Sequence, residues 1–503
     1  MAAPPDAPRR RMLSGGKLAL AVAVVGAALL ATAVVLLSSG GGASDRREQA
    51  HPLVPRTRAE SGSFGPLRYD RSRNATFEQR AAAGFAHPLY AKPAGGAQAA
   101  ANRTARWRPR IERAAHRAGV DADTLEALVY LESAGDPNAM AGPDPRAAAG
   151  LTQILPGTAT GLLGMHVDLP ASIRITRKLV RAQRRARPAL VAKLLQRRQR
   201  VDDRFDPSKA LAGTARYLRE SARHFGREDL VVEAYHMGIG NLQSVISAFG
   251  ARDDVPYAQL YFDSSPARHA AAYAKLFSLG DDSATYWFRV LAAKEILRLA
   301  RDDPAELARR ARLQTQKNSA ENVMHPPTAT TVFASPADVR AAEQRGELLR
   351  LDARPLLHAG VRIDPHMGEL APRVGQRPTL YRALRPEALA VLAYVGAGVH
   401  AFAARGTLTV TSTVRDARYQ QQLVGTNLEA TPNYSLHTTG FAFDIRRRYT
   451  APRQAYAFQF FLDRLQALNL IAWVREPGAI HVTASPDAAA LEPALDRLGL
   501  RTK

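Results

Sequence analysis

Two groups of residues in this chain have the types and spacing that chemistry needs. The first centres on Glu132, which ends the apolar run Ala127-Leu128-Val129-Tyr130-Leu131 and is followed by Ser133. Apolar surroundings disfavour the charged carboxylate, so a carboxyl group placed there keeps its proton toward neutral pH and can act as a general acid. A glycine-led turn, Gly150-Leu151-Thr152-Gln153-Ile154, follows. Much later comes an aromatic, glycine-rich segment, Glu233-Ala234-Tyr235-His236-Met237-Gly238-Ile239-Gly240-Asn241. The second group is His437 and Asp444, within Ser435-Leu436-His437-Thr438-Thr439-Gly440-Phe441-Ala442-Phe443-Asp444, joined by His481 in Ala479-Ile480-His481-Val482-Thr483. Gly440 lets the backbone bend between a ligand in a turn and a ligand on the following strand. Two imidazoles and one carboxylate form a three-ligand zinc set with a position left for water, the catalytic rather than the structural arrangement.

The elements that must position these residues differ between the two halves. From about 101 to 300 apolar residues recur at helical spacing, over 107–118, 122–131, 211–225, 230–236 and 266–300, and no strand is expected. From about 331 onward the texture changes. Helices are expected at 386–403 and 452–468, and strands at 407–414, 441–445, 470–474 and 479–483, where β-branched and aromatic residues concentrate. The chain therefore reads as multidomain: an α-helical domain at 101–300 and a small α+β domain at 331–490. Residues 38–100, rich in Gly, Ala, Pro and Arg, read as a flexible linker, and the polar stretch 301–330 as a second linker.

The whole chain narrows the setting. It has 503 residues, a net charge of +23 and no cysteine, which excludes disulfides and cysteine metal sites. Residues 18–37 are twenty uncharged, mostly apolar residues preceded by Arg9, Arg10, Arg11 and Lys17. That length spans a bilayer, and the preceding charges keep residues 1–17 in the cytosol as a basic tail, with the rest exported. The run exceeds a usual signal-peptide core, which favours an uncleaved transmembrane helix over cleavage near Gly41–Ala43. Export argues against nucleic acid as the partner of so basic a chain. Residues 174–204 hold twelve Lys or Arg against Asp202 and Asp203, with leucines and valines between them. This segment reads as two basic amphipathic helices broken at Pro188, either a solvated insertion or a contact for an anionic membrane or wall polymer.

The first group, in this order, resembles the Slt-type lytic transglycosylases of bacterial cell walls, with their lysozyme-like fold, over about 200 residues. The resemblance implies that Glu132 is the single acid and base that cuts the bond between N-acetylmuramic acid and N-acetylglucosamine, closing a 1,6-anhydro ring without a cofactor. It implies that Ser133, Gln153, Tyr235 and Asn241 meet the substrate. Thr152 stands where the family usually has Met, and His236 where it usually has Asn. Hydrolysis, with Asp136 or Asp144 holding a water, is the alternative chemistry. The second group resembles the D-alanyl-D-alanine carboxypeptidases and endopeptidases, a zinc-peptidase group, over a core of about 387–485. Thr411-Ser412-Thr413-Val414-Arg415 followed by Tyr419-Gln420 matches its arginine segment. The resemblance implies zinc on His437, Asp444 and His481, with Arg415 facing the substrate. It also implies a glutamate as general base, here Glu476, five residues before His481 rather than the usual two or three. Together these readings describe an enzyme of peptidoglycan, held by one span in the bacterial inner membrane with its catalytic domains on the periplasmic side. The rivals are a transglycosylase whose second domain only binds peptidoglycan, and a non-catalytic wall-binding scaffold.

Overall fold

The computed structural model describes residues 68–316, 319–403, 406–425 and 434–501. The membrane span expected at 18–37 lies outside them, and among the described residues no helix is long and apolar enough to cross a membrane.

Helices build the first half. Residues 68–100, expected as part of a flexible linker, instead fold and pack. Helix α1 (Asn74–Gly84) buries Phe77 and Ala81, and Tyr69, Leu89 and Tyr90 join the main core. Alanine is the strongest helix former, and its small side chain lets helices approach without a marked apolar stripe, so composition alone suggested a linker. Helices α2 (Arg108–Ala118) and α3 (Ala122–Ser133) follow. Asp121 starts α3 by accepting the Thr124 N–H, and Ala134 ends it in the left-handed region. The basic segment is a hairpin of α4 (Leu169–Arg184) and α5 (Pro188–Val201). Then come α6 (Pro207–His224) and α7 (Glu228–Met237). The helix expected across 266–300 is two, Ala270–Ser278 and α8 (Tyr286–Asp302), divided at Gly280. Several of these helices open on proline, whose fixed φ suits the first turn and whose missing N–H costs nothing there.

The expected linker 301–330 is also folded. After α8 ends come α9 (Pro304–Thr315) and α10 (Ser319–Met324). Beyond them lies the α+β half, with α11 (Pro386–Phe402), α12 (Ala417–Val424) and α13 (Pro452–Ala467). Its sheet has five strands: β1 (Val361–Ile363), β2 (Leu408–Ser412), β3 (Ala442–Arg446), β4 (Ile471–Arg475) and β5 (Ala479–Ala484). Their order is β1-β2-β3-β5-β4. Only β1 and β2 run parallel; the other neighbours are antiparallel. β1, too short to show a pattern, was not foreseen.

The two halves share one core. Buried Phe77, Leu128 and Phe288 belong to the same apolar cluster as Val391, Phe443 and Phe461. Arg464 of α13 lies over the Tyr261 ring at 4.0 Å and donates to the Ser264 carbonyl at 2.9 Å. Tyr273 and Phe460 pack edge to face at 5.7 Å between centroids.

Candidate active site and candidate metal centre

Glu132 occupies the last turn of α3, half-buried. Ser133 beside it donates to the Leu151 carbonyl at 2.7 Å, tying the helix end to the glycine-led turn. Gly150 opens that turn at φ +84°, and a Cβ there would lie 1.8 Å from the Arg204 carbonyl oxygen. Only glycine fits both demands. Gln153, also left-handed at φ +50°, donates to the Gly150 carbonyl at 2.8 Å. Tyr235 of α7 donates to the Thr152 carbonyl at 2.6 Å. Ser133, Gln153 and Tyr235 are thus gathered around the Gly150–Ile154 turn, each held by a backbone carbonyl. Asn241 is exposed in the first turn of the following helix, Ile239–Phe249, and donates to the Met237 carbonyl at 2.8 Å.

One partner of Glu132 was not anticipated. Tyr286, the first residue of α8, donates its hydroxyl to the Glu132 carboxyl at 2.5 Å. Its ring stacks on His236 at 4.6 Å and on Tyr235 at 6.5 Å. His236 is held in turn by Ser283 at 2.8 Å. Glu233, buried beneath, accepts the Trp287 N–H at 2.8 Å and so secures the first turn of α8. The spacing over 266–300 marked a helix but not which residue began it, so Tyr286 carried no signal of its own. Burial pushes the Glu132 carboxyl up to about 7, partly offset by the Tyr286 hydrogen bond. Among the described residues no other carboxylate contributes to that shift. Asp144 is engaged elsewhere, paired with Arg146 and lowered to about 2. Asp136 caps the Asn138 N–H. Such a lone carboxyl, which keeps its proton up to about pH 7, is poised to give and retake one proton.

The second group is assembled by strand register. Asp444 on β3 sits directly opposite His481 on β5, so their side chains share one face of the sheet. His437 enters from a tight turn, Leu436–Thr439, closed by Gly440 at φ +80°. A Cβ on Gly440 would meet Leu348 at 2.8 Å. One ligating atom from each of His437, Asp444 and His481 lies within 4.8 Å of the others. His437 Nδ1 is 2.7 Å from the Thr413 carbonyl, so it carries the proton and leaves Nε2 facing Asp444 at 3.2 Å. His481 turns Nδ1 to Asp444 at 2.8 Å. Arg415 follows β2, held by Ser412 at 2.6 Å and by Gln420 of α12 at 3.0 Å, and reaches Asp444 at 3.3 Å. Glu476 lies in the turn between β4 and β5, within electrostatic reach of Arg415.

The charges packed into this cluster set the protonation of its members. Burial, with Arg415 nearby, lowers His437 to about 4, so it is neutral and free to ligate. Asp444 is buried, yet His437 and His481 hold its carboxyl well below the usual range. Burial opposes charge on His481, but Glu321 and Asp444 on its two sides outweigh that and raise it to about 10. Glu321, in the segment read as a linker, was likewise not foreseen. Nothing in the local sequence distinguishes it from other polar residues there.

The chain's likeness to known proteins falls on the helical half. Residues 109–171 and 187–257 match the family model described as the transglycosylase SLT domain. The matched segments contain Glu132, the Gly150–Ile154 turn and the Tyr235–Asn241 segment, and they leave out residues 172–186, most of α4. No curated protein matches the chain. The chain thus carries a transglycosylase SLT domain, a lysozyme-like module that supports lytic transglycosylase (lyase) action on peptidoglycan of the cell wall.

Proposed function

We propose that this chain cuts glycan strands without water, with Glu132 as sole acid and base. The solitary carboxyl near neutrality carries the reading, because hydrolytic glycosidases pair two carboxylates. Protonated Glu132 gives its proton to the oxygen between N-acetylmuramic acid and N-acetylglucosamine as the C1–O bond breaks. The C6 hydroxyl of the same muramic residue closes on C1, and the Glu132 carboxylate takes the hydroxyl proton. The acid is restored and a 1,6-anhydro end is left. Gln153, Tyr235 and Asn241 are the proposed sugar contacts; Ser133, already spent on the Leu151 carbonyl, supports the reading only as a positioning group. Mass spectrometry of digested sacculi tests this. Anhydro-muropeptides are expected, and reducing muramic ends as the main product would refute the non-hydrolytic route.

The α+β half is proposed to cut stem peptides of the same polymer. The donor set fits zinc: two imidazole nitrogens and a carboxylate lie within 4.8 Å of one another. Zinc, when bound, supplies an activated water at its open position. Arg415 offers a permanent, forked charge for a peptide-tail carboxylate, and Glu476 takes the proton. Metal analysis of the full chain tests the ligands, with about one zinc expected and loss in His437→Ala. A metal-free chain that leaves stem peptides intact would make this half a peptidoglycan-binding module.

Residues 18–37 are proposed as an uncleaved inner-membrane anchor with both domains outside, on their length and the preceding arginines. N-terminal sequencing of the mature protein tests it, and a start near Ser44 would refute the anchor. The α4–α5 hairpin is proposed to hold an anionic wall polymer. Ten of its Lys and Arg residues are exposed, and none forms an ion pair among the described residues. Its apolar residues Ile175, Leu179, Ala182 and Leu194 pack against one another, which favours a polymer strand over insertion into lipid. Sedimentation with sacculi should fall steeply with salt and with Arg→Ser changes at Arg177, Arg181 and Arg184. Salt-insensitive binding in that variant would leave the hairpin a solvated insertion.

A further inference from the structure

We propose that Glu321, from the segment that joins the two halves, positions His481 for metal binding. The inference rests on the metal reading above. Glu321 is 2% exposed, and its Oε1 lies 2.6 Å from His481 Nε2. Thr483, two residues along β5, donates its hydroxyl to the same carboxylate at 2.7 Å. The acceptor is therefore held from two sides. A carboxylate can only accept, so His481 must place its ring proton on Nε2. Nδ1, the nitrogen that faces Asp444 at 2.8 Å, is then the one that would release its proton to take a metal.

Glu321 is not itself a fourth ligand. The two nitrogens of an imidazole point in different directions, and Glu321 sits on the far one. The group whose ligating atoms lie within 4.8 Å contains His437, Asp444 and His481 but not Glu321. His437 shows the same device with a different acceptor: its Nδ1 is tied to the Thr413 carbonyl, which leaves Nε2 inward. Each histidine thus has one nitrogen fixed from behind and the other turned to Asp444. Such outer partners orient a ligand and raise its basicity, and their loss typically weakens metal binding about 10–100-fold.

The positioning group comes from α10, outside the sheet. Thr483 and the neighbouring backbone anchor that helix: His325, just after it, donates to the Ala484 carbonyl at 2.6 Å and stacks on Phe441 at 4.0 Å. The segment between the domains is thereby part of the metal centre.

The test uses the full chain, stripped with a chelator and titrated with cobalt(II) and zinc against a chromophoric competitor. Circular dichroism and thermal unfolding report the fold of each variant. Wild type should take one ion. Glu321→Ala should weaken binding about 10–100-fold and alter the cobalt ligand-field spectrum. Glu321→Gln, which keeps the shape and a neutral acceptor, should fall between and serves if the alanine variant does not fold. In a His481→Ala background, Glu321→Gln should add no further loss. Folded Glu321 variants with wild-type affinity and spectrum would overturn this inference while leaving the metal centre intact. A wild-type chain that binds neither ion would overturn both.

Discussion

Glu132 shows how far one side chain's environment can be converted into measurable behaviour. Its carboxyl is raised to about 7 by burial, against the single opposing hydrogen bond from Tyr286. The general acid is then present below about pH 7, and the rate of anhydro-product formation should fall about tenfold per unit above it. Tyr286→Phe removes the opposing hydrogen bond, so the alkaline limb should move to higher pH while the rate falls. An unmoved limb would show that the hydroxyl does not act on the acid. Stability follows the same proton. The folded protein holds it up to about pH 7, whereas an unfolded chain releases it near 4.5. Between these values the folded state binds more protons, so stability falls as pH rises through that window. Glu132→Gln should therefore abolish anhydro products yet stabilise the protein by about 1–3 kcal/mol at pH 8. The gain should vanish below about pH 4.5. Denaturant titrations at the two pH values check it.

At the scale of elements, the site depends on connections that leave no room for change. The Gly150 turn combines a left-handed backbone with contact against the Arg204 carbonyl. Arg204 is itself buried, bonded to Asp202 and to the carbonyls of Pro145, Ala147 and Ile154. It cannot yield without breaking that network. Gly150→Ala should cost about 3 kcal/mol or more, from strain and overpacking together. Because Ser133 is tied to Leu151 in the same turn, the variant should also lose glycan cleavage out of proportion to its population unfolded. Thermal melts alongside product analysis check this. Helix α8 is a second such element. Glu233 secures its first turn, and that turn delivers Tyr286.

The whole molecule behaves as one packed body in its described residues. The core runs from α1 through α3 and α8 to α11 and α13, and Arg464 ties the sheet half to Tyr261 and Ser264. A single cooperative unfolding transition is expected. Trp107 and Trp287 report the helical half and Trp473 the sheet half, so fluorescence and circular dichroism should melt together. Two separated transitions would show that the shared core is energetically weak. Arg464→Ala should lower the common midpoint, since it removes a buried hydrogen bond and a cation–π contact, about 2–3 kcal/mol together.

Residue order alone determined the local chemistry. Glu132 at an apolar helix end, His437 and Asp444 across a glycine bend, and the strands 441–445 and 479–483 were legible because helix and strand periods are local properties. The basic helical pair was legible for the same reason, with Pro188 opening its second helix. Tertiary structure decided what lies far away in sequence. It brought Tyr286 to Glu132 across 154 positions and Glu321 to His481, and neither residue has a local pattern to mark it. It also turned the described parts of two expected linkers largely into helices. Alanine-rich and polar segments carry weak periodicity, and burial against a distant partner is what orders them. The leucines of the basic hairpin were equally undecided in the sequence, since a lipid surface and a second helix ask for the same apolar stripe. Only the fold shows that α4 and α5 spend most of theirs on each other, because pairing the two stripes removes them from water within the chain itself.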